Sequence, residues 1–158
     1  MKSLTLFLLL FITACNSGEQ NKNSGSHNPS DIPTANITAV TTQGDEDGYT
    51  FNVTIKSDET GCDQYADWWE ILKADGTLVY RRILAHSHPN DQPFTRSGGP
   101  VKITQDEMLY IRAHMNKLGY VGDVYSGSVV EGFIKVETQT SFPDSVEKLD
   151  PLPEGCAF

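Results

Sequence analysis

The chain has 158 residues, of which 12 are lysine or arginine and 21 are aspartate or glutamate, so its formal net charge is −9 at pH 7. A surface this acidic argues against nucleic acid as a partner and against adsorption to anionic lipid, because both need a basic patch. The length is sufficient for one domain and a tether.

The first segment has the features of a targeting signal. Lys2 precedes Leu4–Ala14, a run that is apolar apart from two threonines. A helix of this length is too short to cross a bilayer, and the run is typical of the hydrophobic region of a signal peptide. We therefore predict that residues 1–14 are a signal peptide.

The signal ends in Ile12-Thr13-Ala14-Cys15, which resembles the bacterial lipobox. The resemblance implies cleavage before Cys15, whose thiol would then carry the lipid. It also implies a membrane-anchored protein of the cell envelope, with the outer membrane or the cell surface as the favoured location. Loss of Lys2 would change the formal charge to 11 − 21 = −10. The alternative is an ordinary secretory signal that is cut elsewhere.

Residues 15–34 are predicted to be a flexible tether. The stretch is rich in asparagine, serine and glycine and has no apolar period, so it cannot bury enough surface to fold. His27 lies within it and is predicted to be inert.

Residues 35–136 are predicted to form an all-β antiparallel sandwich of about seven strands, followed by a coil tail at 137–158. The clearest strand is Tyr49–Ser57, in which apolar and polar residues alternate. Proline and glycine residues indicate a loop over Pro89–Pro100. The predicted strands are 37–42, 49–57, 65–73, 77–86, 107–115 and one or two strands within 120–136. Residues 101–104 are predicted to be a short strand or a connection. Short strands between turn signals are typical of a sandwich or barrel.

Two cysteines remain if Cys15 carries lipid. An even pair in an exported chain predicts a Cys62–Cys156 disulfide, which would close a loop of about 95 residues and attach the tail to the domain. Separate thiols, or a metal site shared with histidine, are the alternatives.

The stretch Tyr110-Ile111-Arg112-Ala113-His114, followed by Leu118-Gly119-Tyr120, resembles the last hairpin of fibronectin type III domains. This resemblance implies an immunoglobulin-like sandwich, frequent roles in binding and no catalytic residues. The predicted disulfide departs from the immunoglobulin pattern, because it would join Cys62 to the tail instead of joining the two sheets. The tryptophan-rich block 61–70, with His86-Ser87-His88, also resembles uncharacterised bacterial envelope proteins, which adds no function.

His86 and His88 form the candidate metal site. If both lie on one strand, residues i and i+2 project to the same side, and two imidazoles could reach one ion. The third ligand would be His114, Asp91 or Glu70, and the ion would be zinc or copper. The alternatives are histidines that fasten the following loop by hydrogen bonds, and a ligand site without metal.

Arginine side chains offer a second chemistry. Arg81, Arg82 and Arg96 could clamp an anionic ligand, although Arg81 and Arg82 lie on opposite faces of a strand. Internal ion pairs with Asp67, Glu70 or Asp75 are the alternative.

The neighbouring Trp68 and Trp69 also point to opposite faces. One is expected in the core, and the other is either an exposed stacking platform or covered by arginines or the tail.

No motif for nucleophilic catalysis is present. We therefore predict a non-catalytic envelope module, without a cofactor, that binds a protein or an envelope polymer. The predicted binding surface consists of Trp69, Tyr80, Arg82, Gln92, Arg96, Tyr110 and Arg112. A small zinc- or copper-binding protein that uses His86 and His88 is the alternative, and an envelope spacer is a third possibility.

Overall fold

The protein folds as two antiparallel β-sheets. The computed structural model describes residues 32–136 and 141–157. The predicted signal peptide, Cys15, the tether up to residue 31, and residues 137–140 and 158 of the tail lie outside this description. The strands are β1 Ala35–Gln43, β2 Tyr49–Ser57, β3 Ala66–Lys73, β4 Leu78–Ile83, β5 Phe94–Val101, β6 Leu109–Met115, β7 Tyr125–Ser128 and β8 Gly132–Lys135.

Three strands in the order β1-β2-β5 form one sheet, and five in the order β4-β3-β6-β7-β8 form the other. Every strand pair is antiparallel. The predicted all-β sandwich is therefore confirmed. Among the described residues, no helix is long and apolar enough to cross a membrane.

The main core lies between the two sheets. The alternating apolar side chains of β2, including Phe51, Val53 and Ile55, are fully buried there. Trp69 and Ile71 of β3 belong to the same core. This arrangement follows from the period of two that was visible in the sequence.

Strand β5 corrects the predicted loop over Pro89–Pro100. Phe94–Val101 pairs with β2 along one side and forms the edge of the three-stranded sheet. An edge strand tolerates Pro100 because the backbone on its other side needs no ladder partner. A side chain at Gly98 would collide with core rings, since its Cβ would lie 2.8 Å from Trp69 and 2.7 Å from Tyr80. Glycine at this position therefore permits close packing, although sequence patterns identify it as a turn residue.

Two further boundaries differ from prediction. Strand β4 ends at Ile83 instead of His86, and β6 begins at Leu109 instead of Glu107. Of residues 101–104, predicted as a short strand or a connection, Val101 is the last residue of β5 and the others belong to a connection. The early end of β4 adds residues 84–86 to the connection that runs to residue 93 and carries the chain from one sheet to the other.

The tail forms a third layer on the outer face of the five-stranded sheet. It contains a short 3-10 helix, Asp144–Lys148, in a region that was predicted as coil. Phe142 and Val146 pack with Leu72 of β3 in a second, smaller apolar cluster. The predicted Cys62–Cys156 disulfide is present. The backbone N–H of Ala157 also donates to the carbonyl of Ala85 beyond the end of β4.

Candidate functional site

The predicted site residues lie in two separate places. Tyr110, Arg112 and His114 of β6 point to the outer face of the five-stranded sheet, against which the tail packs. A second group lies on β4, on β5 or in the connection between them and comprises Tyr80, Arg82, His86, His88, Gln92 and Arg96. Trp69 lies in the core beneath. We call the edge at which the two strands meet the β4–β5 seam, defined by Tyr80, Arg82, Arg96 and Ser97.

A buried carboxylate organises the outer face of the five-stranded sheet. Glu70 is completely inaccessible to solvent. Arg81 donates to its Oε2 from Nε at 2.8 Å and from Nη2 at 2.6 Å, while Arg112 donates to Oε1 from Nε at 2.8 Å. The register places these residues opposite Glu70 on the two neighbouring strands. One carboxylate thus joins β3, β4 and β6.

Arg81 also holds the tail. Its guanidinium donates to the backbone carbonyls of Val146, Leu149 and Pro151. Its charge and most of its donors are therefore satisfied internally, which confirms the ion-pair interpretation for this arginine. Arg81 is buried and cannot contribute to an anion clamp on the surface.

His114 lies on the covered face of the five-stranded sheet. Among the described residues, no group of metal-ligating side chains joins it to the other histidines. Its Nδ1 lies 2.6 Å from Oδ1 of Asp67, and its ring stacks on Trp68 with 3.6 Å between centroids. The guanidinium of Arg81 lies over the same indole at 4.6 Å. Trp68 is therefore covered by Arg81 and His114, in agreement with the alternative that arginine side chains or the tail cover it.

Arg112 and Trp69 correct the predicted binding surface. Arg112 is buried, and its guanidinium lies 3.3 Å above the ring of Tyr120. Burial and the nearby Glu70 carboxylate raise the pKa of the Tyr120 phenol, so that ring stays neutral. Trp69 is fully buried in the core and cannot serve as an exposed platform. Tyr110 is half-buried against Phe142 of the tail, at 5.3 Å between centroids.

The β4–β5 seam is accessible. Tyr80 is half-buried there, with its ring centroid 5.7 Å from that of Trp69. Arg82 is exposed, and its Nε donates to the carbonyl of Ser97 on β5 at 3.1 Å while its Nη1 donates to the carbonyl of Ile83 at 2.8 Å. The bond to Ser97 connects the two sheets at their edge strands, whereas the bond to Ile83 stays within β4.

Arg96 lies on β5 directly before Ser97. Its Nη1 donates to the carbonyl of Thr95 at 2.8 Å, and its guanidinium lies 5.3 Å from the centre of the Phe94 ring. Within the described residues, neither Arg96 nor Arg82 has a carboxylate within ion-pair distance, whereas Arg81 and Arg112 share Glu70. The seam therefore presents two charges that the protein does not neutralise locally.

The histidines lie in the connection between β4 and β5. Because β4 ends at Ile83, His86 and His88 do not share a strand face, and that premise of the metal prediction is wrong. Their rings are nevertheless neighbours, with centroids 4.6 Å apart. The described residues contain no group of three or more His, Cys, Asp or Glu side chains arranged to hold a metal ion.

His88 is buried, and neither of its ring nitrogens has a hydrogen-bond partner in the described structure. The ring stacks on Phe94 with centroids 3.9 Å apart. Burial, followed by the nearby Arg96 charge, lowers the pKa of His88. This imidazole therefore packs as a neutral aromatic ring.

Two polar side chains hold the connection in place. Oε1 of Gln92 accepts a hydrogen bond from the Ser57 backbone at 2.9 Å, and its Nε2 donates to the His88 carbonyl at 3.1 Å. Glu59, whose side chain is fully buried, accepts hydrogen bonds from the Ser57 hydroxyl and from the His88 backbone. Gln92 thus fastens the connection between β4 and β5, and it is not one of the residues that define the seam.

Some residues of the accessible surface were missed by the sequence analysis. Thr95 and Ser97 point to the outer face of the three-stranded sheet, where the Thr95 hydroxyl lies 2.9 Å from that of Thr54 and the Ser97 hydroxyl donates to Asn52 at 2.6 Å. The polar face of β2 was visible as alternating threonine and asparagine. Its continuation onto β5 was not, because that stretch was interpreted as a loop.

Comparison with known proteins gives one informative similarity. Over 93 residues, the chain is 36% identical to a protein from Halomicrobium mukohataei named "Putative lipoprotein". The match covers 58% of this chain and 46% of the relative, so the chain spans about half the length of the curated relative it matches. No family model and no solved structure match the chain.

Proposed function

We propose that the protein is a lipid-anchored, non-catalytic binding module of the cell envelope, with the β4–β5 seam as its recognition surface. Two observations support the anchor: the lipobox-like Ile12–Cys15 and the similarity to a relative that is named a lipoprotein. The observation that carries the binding role is the pair Arg82 and Arg96, which are accessible and lack a carboxylate partner among the described residues.

The covered face supports the choice of the seam. Arg81, Arg112 and His114 already use their charges or ring nitrogens in contacts with Glu70, Asp67 and the tail. A partner could reach them only after removing the tail. The seam needs no such rearrangement.

The recognition surface is tested by capture from envelope fractions. Immobilised full chain should retain an envelope protein or polymer, and the Arg82→Gln/Arg96→Gln double variant should retain much less. The Lys148→Gln variant is the control, because it removes an exposed positive charge from the tail helix. Equal retention by all three proteins would refute the seam as the binding surface.

The anchor is tested separately by Cys15→Ser. This variant should move from the membrane fraction to the soluble fraction, because the thiol is the proposed lipid attachment point. Retention in the membrane fraction would refute the lipoprotein proposal. Labelling with a radioactive fatty acid should be lost in the same variant.

The immunoglobulin or fibronectin type III resemblance remains part of the proposal. It is supported by the antiparallel pairing of β6 with β7, the hairpin that the resemblance implies, and by the tryptophans on β3. Strand β8, which pairs with β7, is an addition to that pattern. An experimental structure that shows a different strand order would refute it.

Metal binding is the second candidate function. The observation in its favour is that the unpartnered ring nitrogens of buried His88 lie beside the His86 ring. Zinc or copper with two imidazoles would need further ligands, such as water. Metal analysis of the purified chain and of the His86→Ala/His88→Ala variant tests this: about one ion per chain, lost in the variant, supports it, and unchanged trace metal refutes it.

A further inference from the structure

We infer that the β4–β5 seam and the adjoining outer face of the three-stranded sheet bind an acidic polysaccharide, that is, a glycan chain with carboxylate or sulfate groups. The inference rests on the proposed function and specifies its ligand. It joins two features that lie side by side on β5: unneutralised arginines at the edge, and a row of hydroxyl and amide groups on the outer face.

The charge of the seam favours an anionic ligand. Two of the four arginines of the chain share the buried Glu70 carboxylate, and the other two, Arg82 and Arg96, have no carboxylate within ion-pair distance among the described residues. The chain contains 21 acidic residues, so the lack of a partner does not follow from a shortage of carboxylates. Guanidinium groups pair with planar and tetrahedral oxyanions through parallel hydrogen bonds.

The two guanidinium groups are held in position before any ligand arrives. Arg82 donates to the carbonyls of Ser97 and Ile83, and Arg96 donates to that of Thr95. A guanidinium has five N–H groups, so each arginine keeps donors beyond these bonds. Because the backbone already orders the side chains, binding costs less conformational entropy.

The adjoining sheet face provides hydrogen-bonding groups for sugar hydroxyls. Thr95 and Ser97 alternate with Arg96 along β5 and lie opposite Thr54 and Asn52 of β2 in the register. Their polar atoms are paired across the strands at 2.9 and 2.6 Å in an exposed setting. A hydroxyl can donate and accept simultaneously, so these pairs can also bond to a glycan.

The same surface is poorly suited to a protein partner. The large apolar side chains exposed by the described residues all lie outside β2, β4 and β5. Protein interfaces usually have an apolar or aromatic centre that excludes water. A hydrated, charged glycan chain needs no such centre, and the combination of arginine with threonine, serine and asparagine fits it better.

The experiment measures binding of the purified full chain, kept in detergent, to four immobilised polymers: polygalacturonate, dextran sulfate, neutral dextran and polyglutamate. At least one acidic glycan should bind at least tenfold more tightly than either neutral dextran or polyglutamate. The first two polymers distinguish carboxylate from sulfate as the recognised group, and the last tests an acidic peptide.

Variants locate the site. Arg82→Gln and Arg96→Gln should each weaken acidic-glycan binding about tenfold, the effect expected from one lost charge-assisted hydrogen bond. Asn52→Ala/Thr54→Ala should weaken it severalfold without removing charge. Lys148→Gln is the charge-matched control and should change affinity less than twofold. Unchanged thermal unfolding shows that each variant is folded.

The outcomes separate the inference from the proposed function. Binding to polyglutamate as tight as to the acidic glycans would overturn the inference in favour of an acidic protein, and equal binding to neutral dextran would overturn the role of charge. If no acidic glycan binds but the full chain still captures an envelope component through its seam, the inference fails and the proposed function stands. If neither occurs, both fail.

Discussion

Replacement of Glu70 by glutamine tests the role of the buried ion network. The substitution keeps the size and shape of the side chain but removes the charge that Arg81 and Arg112 share. Glu70 and Arg81 have no accessible side-chain surface, and that of Arg112 is 8% accessible. Two guanidinium groups would remain together in a site from which water is almost excluded.

The expected cost follows from this burial. Removing one partner of a buried ion pair destabilises proteins by about 3–5 kcal/mol, because the remaining charge is uncompensated. Here one carboxylate serves two arginines at 2.6–2.8 Å, so we place Glu70→Gln at the upper end of that range. Since small domains have about 5–15 kcal/mol of stability, the variant should lose a large part of its free energy of unfolding.

The assay is urea unfolding followed by tryptophan fluorescence, with Glu107→Gln as the matched control. Glu107 pairs with Lys73 at 2.5 Å, but both side chains are partly exposed, and such surface pairs contribute about 0–1 kcal/mol. We expect a large difference between the two glutamine variants. Equal losses below about 1 kcal/mol would refute the argument that burial makes Glu70 essential.

Further predictions concern the disulfide, the close packing of β5 and the buried imidazole. Replacement of both disulfide cysteines by alanine should cost about 4–5 kcal/mol in the chain-entropy model for a loop of this length, measured by urea unfolding; no loss would refute the entropic account. Gly98→Ala should lower the free energy of unfolding by about 1–3 kcal/mol, because the new Cβ would overlap Trp69. Gly48→Ala is the control and should cost less, since its Cβ would have its nearest contact at 3.8 Å. A larger loss in Gly48→Ala than in Gly98→Ala would contradict the packing argument. The pKa of His88 in the folded protein is lowered from 6.5. As the pH falls, the imidazole therefore becomes protonated in the unfolded chain before it does so in the folded protein. The free energy of unfolding should thus decline below about pH 6.5, by up to about 1.4 kcal/mol for each unit by which the two pKa values differ. His88→Phe, which keeps the stack on Phe94, should flatten that part of the pH–stability curve, and parallel curves for the two proteins would refute the buried neutral ring.

Local patterns were sufficient to predict much of the sandwich. Strand β2 occupies the predicted 49–57, and β3 begins one residue after the predicted start at 65. The disulfide followed from cysteine parity and the inferred export. These predictions succeeded because alternation and redox chemistry depend on neighbouring residues or on residue counts, which a single sequence contains.

The burial of the outer sheet face could not be predicted in the same way. Arg112 and His114 alternate with apolar residues and therefore appeared solvent-exposed, whereas the tail covers them from more than 25 positions further along the chain. A partial signal existed in β3, where Trp68 and Leu72 make the second face apolar as well. Strands that are apolar on both faces are typical of burial on both sides.

The seam was only partly predictable for a related reason. Tyr80, Arg82 and Arg96 were expected on one surface, and the structure places Arg82 at Ser97 and Tyr80 at Gly98 of β5. Pro93, Gly98 and Pro100 concealed that strand in the sequence. Proline and glycine disfavour a strand locally, but here Pro100 lies on an edge strand and Gly98 packs against the rings of Trp69 and Tyr80. Neither can be seen before the partner strands are known.

The third layer has a consequence for how the domain opens. Strand β3 is paired on both edges by β4 and β6, and it is covered on one face by the core and on the other by the tail. Its amide protons should therefore exchange with deuterated solvent only through opening of the whole domain, while those of the edge strand β8 exchange through local fluctuations. The slowest amides of β3 would report the global free energy of unfolding under native conditions, and the Val146 amide of the tail helix would show whether the third layer detaches first.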